Sequence, residues 1–195
     1  MKRKQFLNSI VLIAEGKFED ASNFLKKYLQ INVSKIKAYK TLSFCLLKLN
    51  KINEAVETFT AGIKSTGSII LLKERANINK NLGKLNEAIS DYTEIMKKTD
   101  IHLNRILSTR ASLYLLLKNV NEAINDFSSI LESNPDDVNA LLSRGNSYCQ
   151  QKRFKEALID FEKVISIDNS NKESLVKAKI CKEKINQLET HEVPV

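Results

Sequence analysis

One short phrase recurs along this chain at intervals of about 34 residues. It is written "NEAVETF" from Asn53, "NEAISDY" from Asn86, "NEAINDF" from Asn121 and "KEALIDF" from Lys155, and "FEDASNFL" supplies an earlier copy. The Ala residues of the five copies lie 34, 33, 35 and 34 positions apart. A period of this length, held over five copies, predicts an array of small stacked units rather than one globular domain.

Each copy has the internal pattern of two helices. The first helix carries a small residue and a larger one three positions later, as at Ala111 and Tyr114. The second carries Ala and, in the last four copies, an aromatic residue four positions later, as at Ala88 and Tyr92, which places both on one helical face. The first copy has Leu25 at the aromatic position. The few residues between the helices predict antiparallel neighbours. One pair cannot bury its apolar face alone, so we expect the pairs to stack into a solenoid.

These features resemble the tetratricopeptide repeat family. The resemblance is carried by the Tyr of the first helix, the Glu-Ala of the second with its aromatic residue, "NPDD" at Asn134, and an Arg before the small residue at Arg75, Arg110 and Arg144. It implies an all-α fold, a right-handed superhelical solenoid of antiparallel helix pairs. A small residue late in the second helix is replaced by Ile95, Ile130 and Val164, which we expect to loosen individual interfaces.

The repeat register divides the chain. Five repeats cover approximately 2–35, 36–69, 69–102, 104–137 and 138–171. The segment 172–190 has the pattern of a capping helix, because one apolar stripe recurs at three- and four-residue steps: Leu175, Ala178, Cys181, Ile185 and Leu188. Residues 191–195 are expected to form a flexible tail.

Composition limits the classes of partner. The formal net charge is +8, from 31 basic and 23 acidic residues. Such a balance is typical of proteins with an anionic partner, such as nucleic acid, lipid headgroups or an acidic peptide. The chain is also rich in Lys, Asn and Ile together, a combination that genome base composition can produce without any binding surface. Both interpretations of the charge stay open at this point.

The cysteines and the N-terminal segment favour a cytoplasmic protein. Cys45, Cys149 and Cys181 are widely spaced and form no CxxC pair, so we expect buried thiols and no disulfides. The basic start and apolar run of "MKRKQFLNSIVLIAEG" have some features of a signal peptide, but Asn8 and Ser9 interrupt the run. The run is also too short for a membrane span of about 20 residues, so membrane insertion is not expected.

The sequence offers little catalytic chemistry. His102 and His191 have no partner at zinc-binding spacing, and there is no phosphate-binding glycine loop or nucleophile elbow. The adjacent carboxylates Asp136 and Asp137 lie at a turn between repeats, where Asp commonly caps the next helix. We therefore predict a non-enzymatic protein without a metal or cofactor.

The resemblance implies a concave groove lined by the first helices, which in this family holds a peptide or helix of another protein. Placing the repeats in register assigns basic groove residues at Lys37, Lys40, Lys73, Lys80 and Arg105. It assigns polar groove residues at Asn77, Thr109, Ser112, Asn139, Ser143 and Asn146. It assigns an apolar group, near Arg3, at Phe6, Ile10, Ile13, Phe44 and Leu47.

The leading hypothesis is an adaptor that binds an acidic segment carrying apolar anchors. Charge would supply orientation and association rate, and the anchors much of the affinity. The lysines could instead form a solvated face, and the apolar group could pack internally or mediate self-association in a scaffold subunit.

Two further alternatives come from related repeats. A co-chaperone would hold the acidic tail of a heat-shock chaperone with a clamp of Lys, Asn and Arg. Lys73 and Asn77 match that clamp, whereas its other positions fall on Thr109, Asn139 and Ser143. An RNA-binding helical repeat would need a regular 35-residue period with polar base-reading residues, which this chain lacks, so nucleic acid is not the expected partner.

Overall fold

The computed structural model describes residues 2–99 and 103–191, and the side chains of 6–99 and 103–190. Every regular element among these residues is an α-helix, which confirms the all-α class. The helices are α1 (Lys2–Ala14), α2 (Phe18–Ile31), α3 (Ile36–Lys48), α4 (Ile52–Thr66), α5 (Ile69–Asn81), α6 (Leu85–Met96), α7 (Leu103–Leu116), α8 (Val120–Ser133), α9 (Val138–Gln150), α10 (Phe154–Ile167) and α11 (Lys172–His191). None of the helices in the described ranges is long and apolar enough to cross a membrane.

His102, the side chains of Arg3 and His191, and the tail after His191 lie outside the described residues.

The chain divides into two compact units. Unit 1 is Met1–Thr99, with α1 to α6, and unit 2 is Asp100–Val195, with α7 to α11. Within each unit the helices pack in chain order, so that α3 contacts α2 and α4, and α9 contacts α8 and α10. In unit 2, α11 packs against α10 after the last pair. Each unit is therefore a row of stacked helix pairs.

The first helix of every pair ends at a residue with left-handed backbone conformation. These residues are Gly16 (φ 74°), Asn50 (φ 58°), Gly83 (φ 72°), Lys118 (φ 62°) and Lys152 (φ 58°). At the last of them, the Lys152 amide donates to the Cys149 carbonyl at 3.0 Å and the Arg153 amide to the Tyr148 carbonyl at 2.9 Å. This is a Schellman motif, which satisfies the final carbonyls of the helix and turns the chain into the second helix.

The small and aromatic residues of the repeat form the core. Ala21, Ala55, Ala88, Ala123 and Ala157 are each fully buried. The aromatic residues four positions after the last four are also buried: Phe59, Tyr92, Phe127 and Phe161. At Gly145, an added Cβ would lie 2.9 Å from Cε1 of Phe161, so the ring occupies the space that a side chain would need. The first and second helices thus approach closely because one side of the contact is small.

The position seven residues after the repeat Ala, late in the second helix, is occupied by a buried side chain in the last three repeats. Ile95, Ile130 and Val164 are all buried, so the expectation of looser interfaces at these residues was wrong. In the second repeat the equivalent residue is Gly62, where an added Cβ would lie 2.7 Å from Cγ of Tyr39. At Gly62 the Tyr39 ring therefore takes the space that a side chain fills in the later repeats.

The capping helix buries the middle of the predicted stripe, at Ala178 and Cys181 with Ile185 half-buried, but not its two ends. Its buried residues are Ser174, Ala178 and Cys181, whereas Leu175 is 45% exposed and Leu188 is 53% exposed. The predicted stripe is therefore wrong at both leucines. The small side chains of Ala178 and Cys181 allow α11 to lie close to α10, whereas the larger Leu175 and Leu188 remain exposed.

Replacing Lys118 or Lys152 with Gly is expected to stabilise the chain by about 1 kcal/mol, because a residue with a Cβ pays a steric cost in the left-handed region. Urea unfolding of each variant measures the change. Lys179→Gly, in the exposed interior of α11, is the control and should destabilise by about 1 kcal/mol. A loss of stability in Lys118→Gly similar to that control would contradict the assignment.

Gly145→Ala is expected to destabilise by about 1–3 kcal/mol, because the methyl group meets the Phe161 ring. A helical Gly→Ala change without such a contact would instead stabilise by about 1 kcal/mol. Thermal unfolding should also show that the penalty of Gly145→Ala disappears in a Phe161→Leu background. A more stable Gly145→Ala single variant would show that the ring does not set the helix spacing.

Candidate functional site

Charge is sorted between first and second helices in the second and third helix pairs of unit 1. The first helices α3 and α5 carry one acidic residue, Glu74, and the basic residues Lys37, Lys40, Lys48, Lys73, Arg75 and Lys80. The second helices α4 and α6 carry one basic residue, Lys64, and the acidic residues Glu54, Glu57, Glu87, Asp91 and Glu94. A uniform compositional bias would enrich both kinds of helix in Lys. The unequal distribution of charge over α3 to α6 therefore favours a functional basic surface.

Ion pairing reduces the predicted basic stripe of unit 1 to three residues. Lys40 Nζ lies 2.7 Å from Oε1 of Glu74, across two adjacent first helices. Lys37, Lys73 and Lys80 are exposed and have no carboxylate within ion-pair distance among the described residues. An exposed pair such as Lys40 and Glu74 adds little stability, about 0–1 kcal/mol, but it neutralises that part of the surface.

Asn77 lies on α5 with Lys73 and Lys80, and its side chain is held in place. The Tyr92 hydroxyl donates to Oδ1 of Asn77 at 3.0 Å. The amide nitrogen of Asn77 keeps its two N–H donors, because the oxygen is the atom that Tyr92 engages.

A pocket of about 730 Å³ opens on unit 1 where three first helices meet. Its apolar lining comes from Phe6, Leu7, Tyr28, Ile36 and Ile70. Lys35 and Lys37 also border it. Sequence reasoning assigned Phe6 and Lys37 to the groove but did not identify Leu7, Lys35 or Ile70. Leu7 and Ile70 could have been found as large apolar residues on first helices, which the structure leaves 55% and 53% exposed.

The predicted apolar group divides into packed and exposed members. Phe6 and Ile13 are half-buried against the core of unit 1, and the Phe6 ring lies 6.0 Å from that of Tyr28. Ile10, Phe44 and Leu47 are exposed. The Phe44 ring contacts Phe18 edge-on, with centroids 6.2 Å apart, and carries Lys48 Nζ over its face at 5.6 Å.

In unit 2, three predicted groove residues lie together in a smaller polar pocket. Arg105, Thr109 and Asn139 line a space of about 230 Å³ with Ser108 and Asp137. The Asp137 carboxylate accepts from the Ala140 amide at 3.0 Å and so caps α9, as the sequence indicated.

Other polar groove residues of unit 2 are engaged internally. The Thr109 hydroxyl donates to the Arg105 carbonyl and the Ser112 hydroxyl to the Ser108 carbonyl. Asn146 accepts from Lys177 Nζ of α11, and Ser143 is half-buried. Thr109, Ser112 and Asn146 are therefore already hydrogen-bonded within unit 2.

Three arginines of the first helices are structural. Arg144 donates to Asp160 twice, with Nε–Oδ2 at 2.9 Å and Nη2–Oδ1 at 2.7 Å, and Asp160 is 1% exposed. Its Nη1 also donates to Ser128 of the preceding second helix at 3.1 Å. Arg75 pairs with Asp91, and Arg110 with Asp126, at the same spacing of 16 residues.

The hydrogen bond to Asp160 raises the pKa of Arg144, and the one to Asp126 raises the pKa of Arg110. Each guanidinium is therefore permanently charged and tied to a carboxylate. Sequence reasoning used the arginines as family markers and missed their partners. The Asp that directly precedes the aromatic residue in these three copies was the available indication.

The second repeat replaces this ion pair as a unit. Leu42 stands where the last three copies have Arg and is buried, and Thr58 stands where they have Asp. The Thr58 hydroxyl donates to the Glu54 carbonyl of its own helix at 2.8 Å. Neither residue leaves an unpaired buried charge.

The described residues contain no cluster of three His, Cys, Asp or Glu side chains that could hold a metal ion. The three cysteines are free. Cys149 and Cys181 have their sulfur atoms 3.6 Å apart, and burial and this contact raise the pKa of Cys181 to about 12. Burial also raises the pKa of Cys45, so neither Cys45 nor Cys181 has the thiolate character of a nucleophile.

Asp160→Ala is expected to destabilise the chain by about 2–4 kcal/mol, because Arg144 loses its carboxylate in a half-buried site. The double variant Arg144→Leu with Asp160→Thr copies the second repeat and should cost less than the single change. Urea unfolding compares the two. A double variant at least as unstable as Asp160→Ala would show that the ion pair stabilises the repeat beyond satisfying its own charges.

Family models match the chain at the positions of the fourth and fifth predicted repeats. Tetratricopeptide repeat models match residues 105–137 and 138–171. A search of curated proteins found no match.

Many solved structures have a similar fold. YrrB, a TPR protein with an unusual peptide-binding site, is 17% identical, with 90% of each chain covered and a TM-score of 0.63. A tetratricopeptide repeat protein from Parabacteroides merdae is 22% identical, covering 100% of this chain and 81% of that one, with a TM-score of 0.62. The first TPR of Spaghetti (RPAP3), bound to the HSP90 peptide SRMEEVD, is 27% identical, covering 60% of this chain and 95% of that one, with a TM-score of 0.51. The chain therefore carries tetratricopeptide repeats at 105–137 and 138–171, and its fold is similar to that of solved tetratricopeptide repeat proteins.

Proposed function

We propose that this protein is a non-enzymatic adaptor that binds an acidic segment of a partner protein along the first helices of unit 1. The observation that carries the proposal is the row of exposed lysines at Lys37, Lys73 and Lys80, which pair with no carboxylate in the part of the chain that the structure describes. Two of these residues lie on α5 and one on α3, so a chain that crosses the first helices passes each of them.

The sorting of charge supports a functional origin for these lysines. Carboxylates of unit 1 lie mainly on the second helices, and the one carboxylate on α3 and α5 is already paired with Lys40. The first helices therefore keep a net positive potential. Such a potential raises the association rate of an acidic segment and orients it before close contact forms.

The likeness to the first TPR of Spaghetti is consistent with an acidic ligand, because the peptide bound to that protein ends in two Glu, a Val and an Asp. A co-chaperone role of the same kind has weaker support in this chain. Lys73 and Asn77 occupy two clamp positions, but Thr109, Asn139 and Ser143 replace the other clamp residues. An acidic segment held by a different set of contacts fits the residues better.

Self-association through α1 is a second candidate. Leu7, Ile10 and Val11 are exposed on this helix, at 55%, 43% and 55%. Apolar residues clustered in this way often mark an interface. A monomer mass by sedimentation equilibrium at high protein concentration would remove this candidate.

Charge reversal at Lys37→Glu with Lys73→Glu is expected to weaken binding of acidic peptides by about tenfold or more, because two attractions become repulsions. Dodecapeptides selected by phage display on the wild-type protein serve as probes, and fluorescence anisotropy measures their affinity. The difference between variant and wild type should shrink as salt rises, because screening shortens the reach of these charges from about 10 Å at 0.1 M to 3 Å at 1 M.

The matched control is Lys27→Glu with Lys64→Glu, which makes the same change of net charge on exposed residues of the second helices α2 and α4. Equal losses in the two double variants would assign the effect to net charge alone. A display selection that enriches no peptide would count against the adaptor itself.

A further inference from the structure

The pocket of unit 1 combines an apolar lining with an unusual degree of exposure. Phe6, Tyr28 and Ile36 are buried or half-buried in its walls, so that they hold their positions without a ligand. Leu7 and Ile70 lie on two different first helices, and more than half of each side chain is exposed. Large apolar side chains that converge from separate helices on one concavity provide a surface that an apolar group can cover.

Cations surround this pocket. Lys35 and Lys37 border it directly, and both are exposed without a carboxylate partner among the described residues. Lys73 follows Ile70 by three positions on α5, which places it one turn away on the same face. A ligand whose apolar part enters the pocket therefore meets positive charge close to that part.

We infer that this pocket takes a bulky apolar side chain of the partner segment, with Asp or Glu residues beside it in sequence against Lys35, Lys37 and Lys73. The inference rests on the proposed adaptor function and deepens it by naming the anchor. An anchor buried in a preformed apolar pocket supplies affinity, and the flanking carboxylates supply register and specificity.

A polypeptide fits this surface better than a small amphiphile such as a fatty acid. The cations do not stop at the rim, because Lys80 lies ten residues beyond Ile70 on α5. Ten helical residues span about 15 Å. A fatty acid has one carboxylate beside one apolar tail, so it would not contact Lys80. A polypeptide with several acidic residues can contact Lys80 as well as the lysines beside the pocket. The pocket volume of about 730 Å³ also leaves room for backbone on both sides of a single anchoring side chain.

The test uses peptides from the display selection on the full wild-type chain. They are expected to share one bulky apolar residue with Asp or Glu within about three positions of it. Leu7→Gln with Ile70→Gln should weaken their binding by about tenfold or more, because both residues contact the anchor. Ile31→Gln, at a side chain 79% exposed on α2, is the control for loss of an exposed apolar residue and should leave binding unchanged.

A double-mutant cycle separates the pocket from the charges. Changing the apolar residue of the peptide to Ala should weaken binding to the wild type by about tenfold and have little further effect on the Leu7→Gln, Ile70→Gln variant. Circular dichroism should show the fold of that variant unchanged, since both side chains are mostly exposed. Additive losses would overturn the pocket assignment.

Two other outcomes distinguish the inference from the function on which it rests. Peptides that lose affinity on Lys37→Glu with Lys73→Glu but bind the pocket variant as tightly as the wild type would overturn the pocket and leave the acidic-segment adaptor intact. Enrichment of no peptide would overturn both.

Discussion

Close packing of a small residue against an aromatic ring is the constraint on which each repeat depends. At Gly145 the ring of Phe161 occupies the space of the missing side chain, and the repeat-defining Ala residues are fully buried in all five copies. This contact fixes how near the second helix lies to the first and which face of each points inward. The opposite face of the first helix makes no such contact. It is therefore free to vary, and the residues that differ most between the copies lie there.

The charged residues of the chain follow the same division. Arg75, Arg110 and Arg144 face the neighbouring second helices and meet a buried Asp, so their charge is used within the repeat. A buried guanidinium without a carboxylate would be costly, which explains why the second repeat changes both members to Leu42 and Thr58. Within residues 6–99 and 103–190, Lys37, Lys73 and Lys80 have no carboxylate partner, whereas Lys40 pairs with Glu74. Only the second group can attract a ligand without breaking the fold.

The two units differ in what they offer a partner. Unit 1 combines unpaired lysines with an apolar pocket between three first helices, so charge and anchor lie on one surface. In unit 2 the corresponding polar groups are largely engaged: Asn146 with Lys177, and the Thr109 hydroxyl with its own helix. Binding energy comes from groups that gain contacts on association, so the proposed interaction is assigned to unit 1.

The sequence by itself determined the helix pairs, their order and the buried Ala and aromatic residues, because a 34-residue period assigns every position to a fixed place within its repeat. It also indicated the cap at Asp137 from local spacing. Only the tertiary structure decided that Lys40 is paired with Glu74, that Phe6 and Ile13 pack inward while Ile10 stays exposed, and that Leu175 and Leu188 at the ends of the predicted α11 stripe are exposed. These outcomes depend on contacts between repeats, about 34 residues apart in sequence. The period gives the place of a residue within its own repeat, but the neighbouring side chain decides whether it is covered, paired or left free.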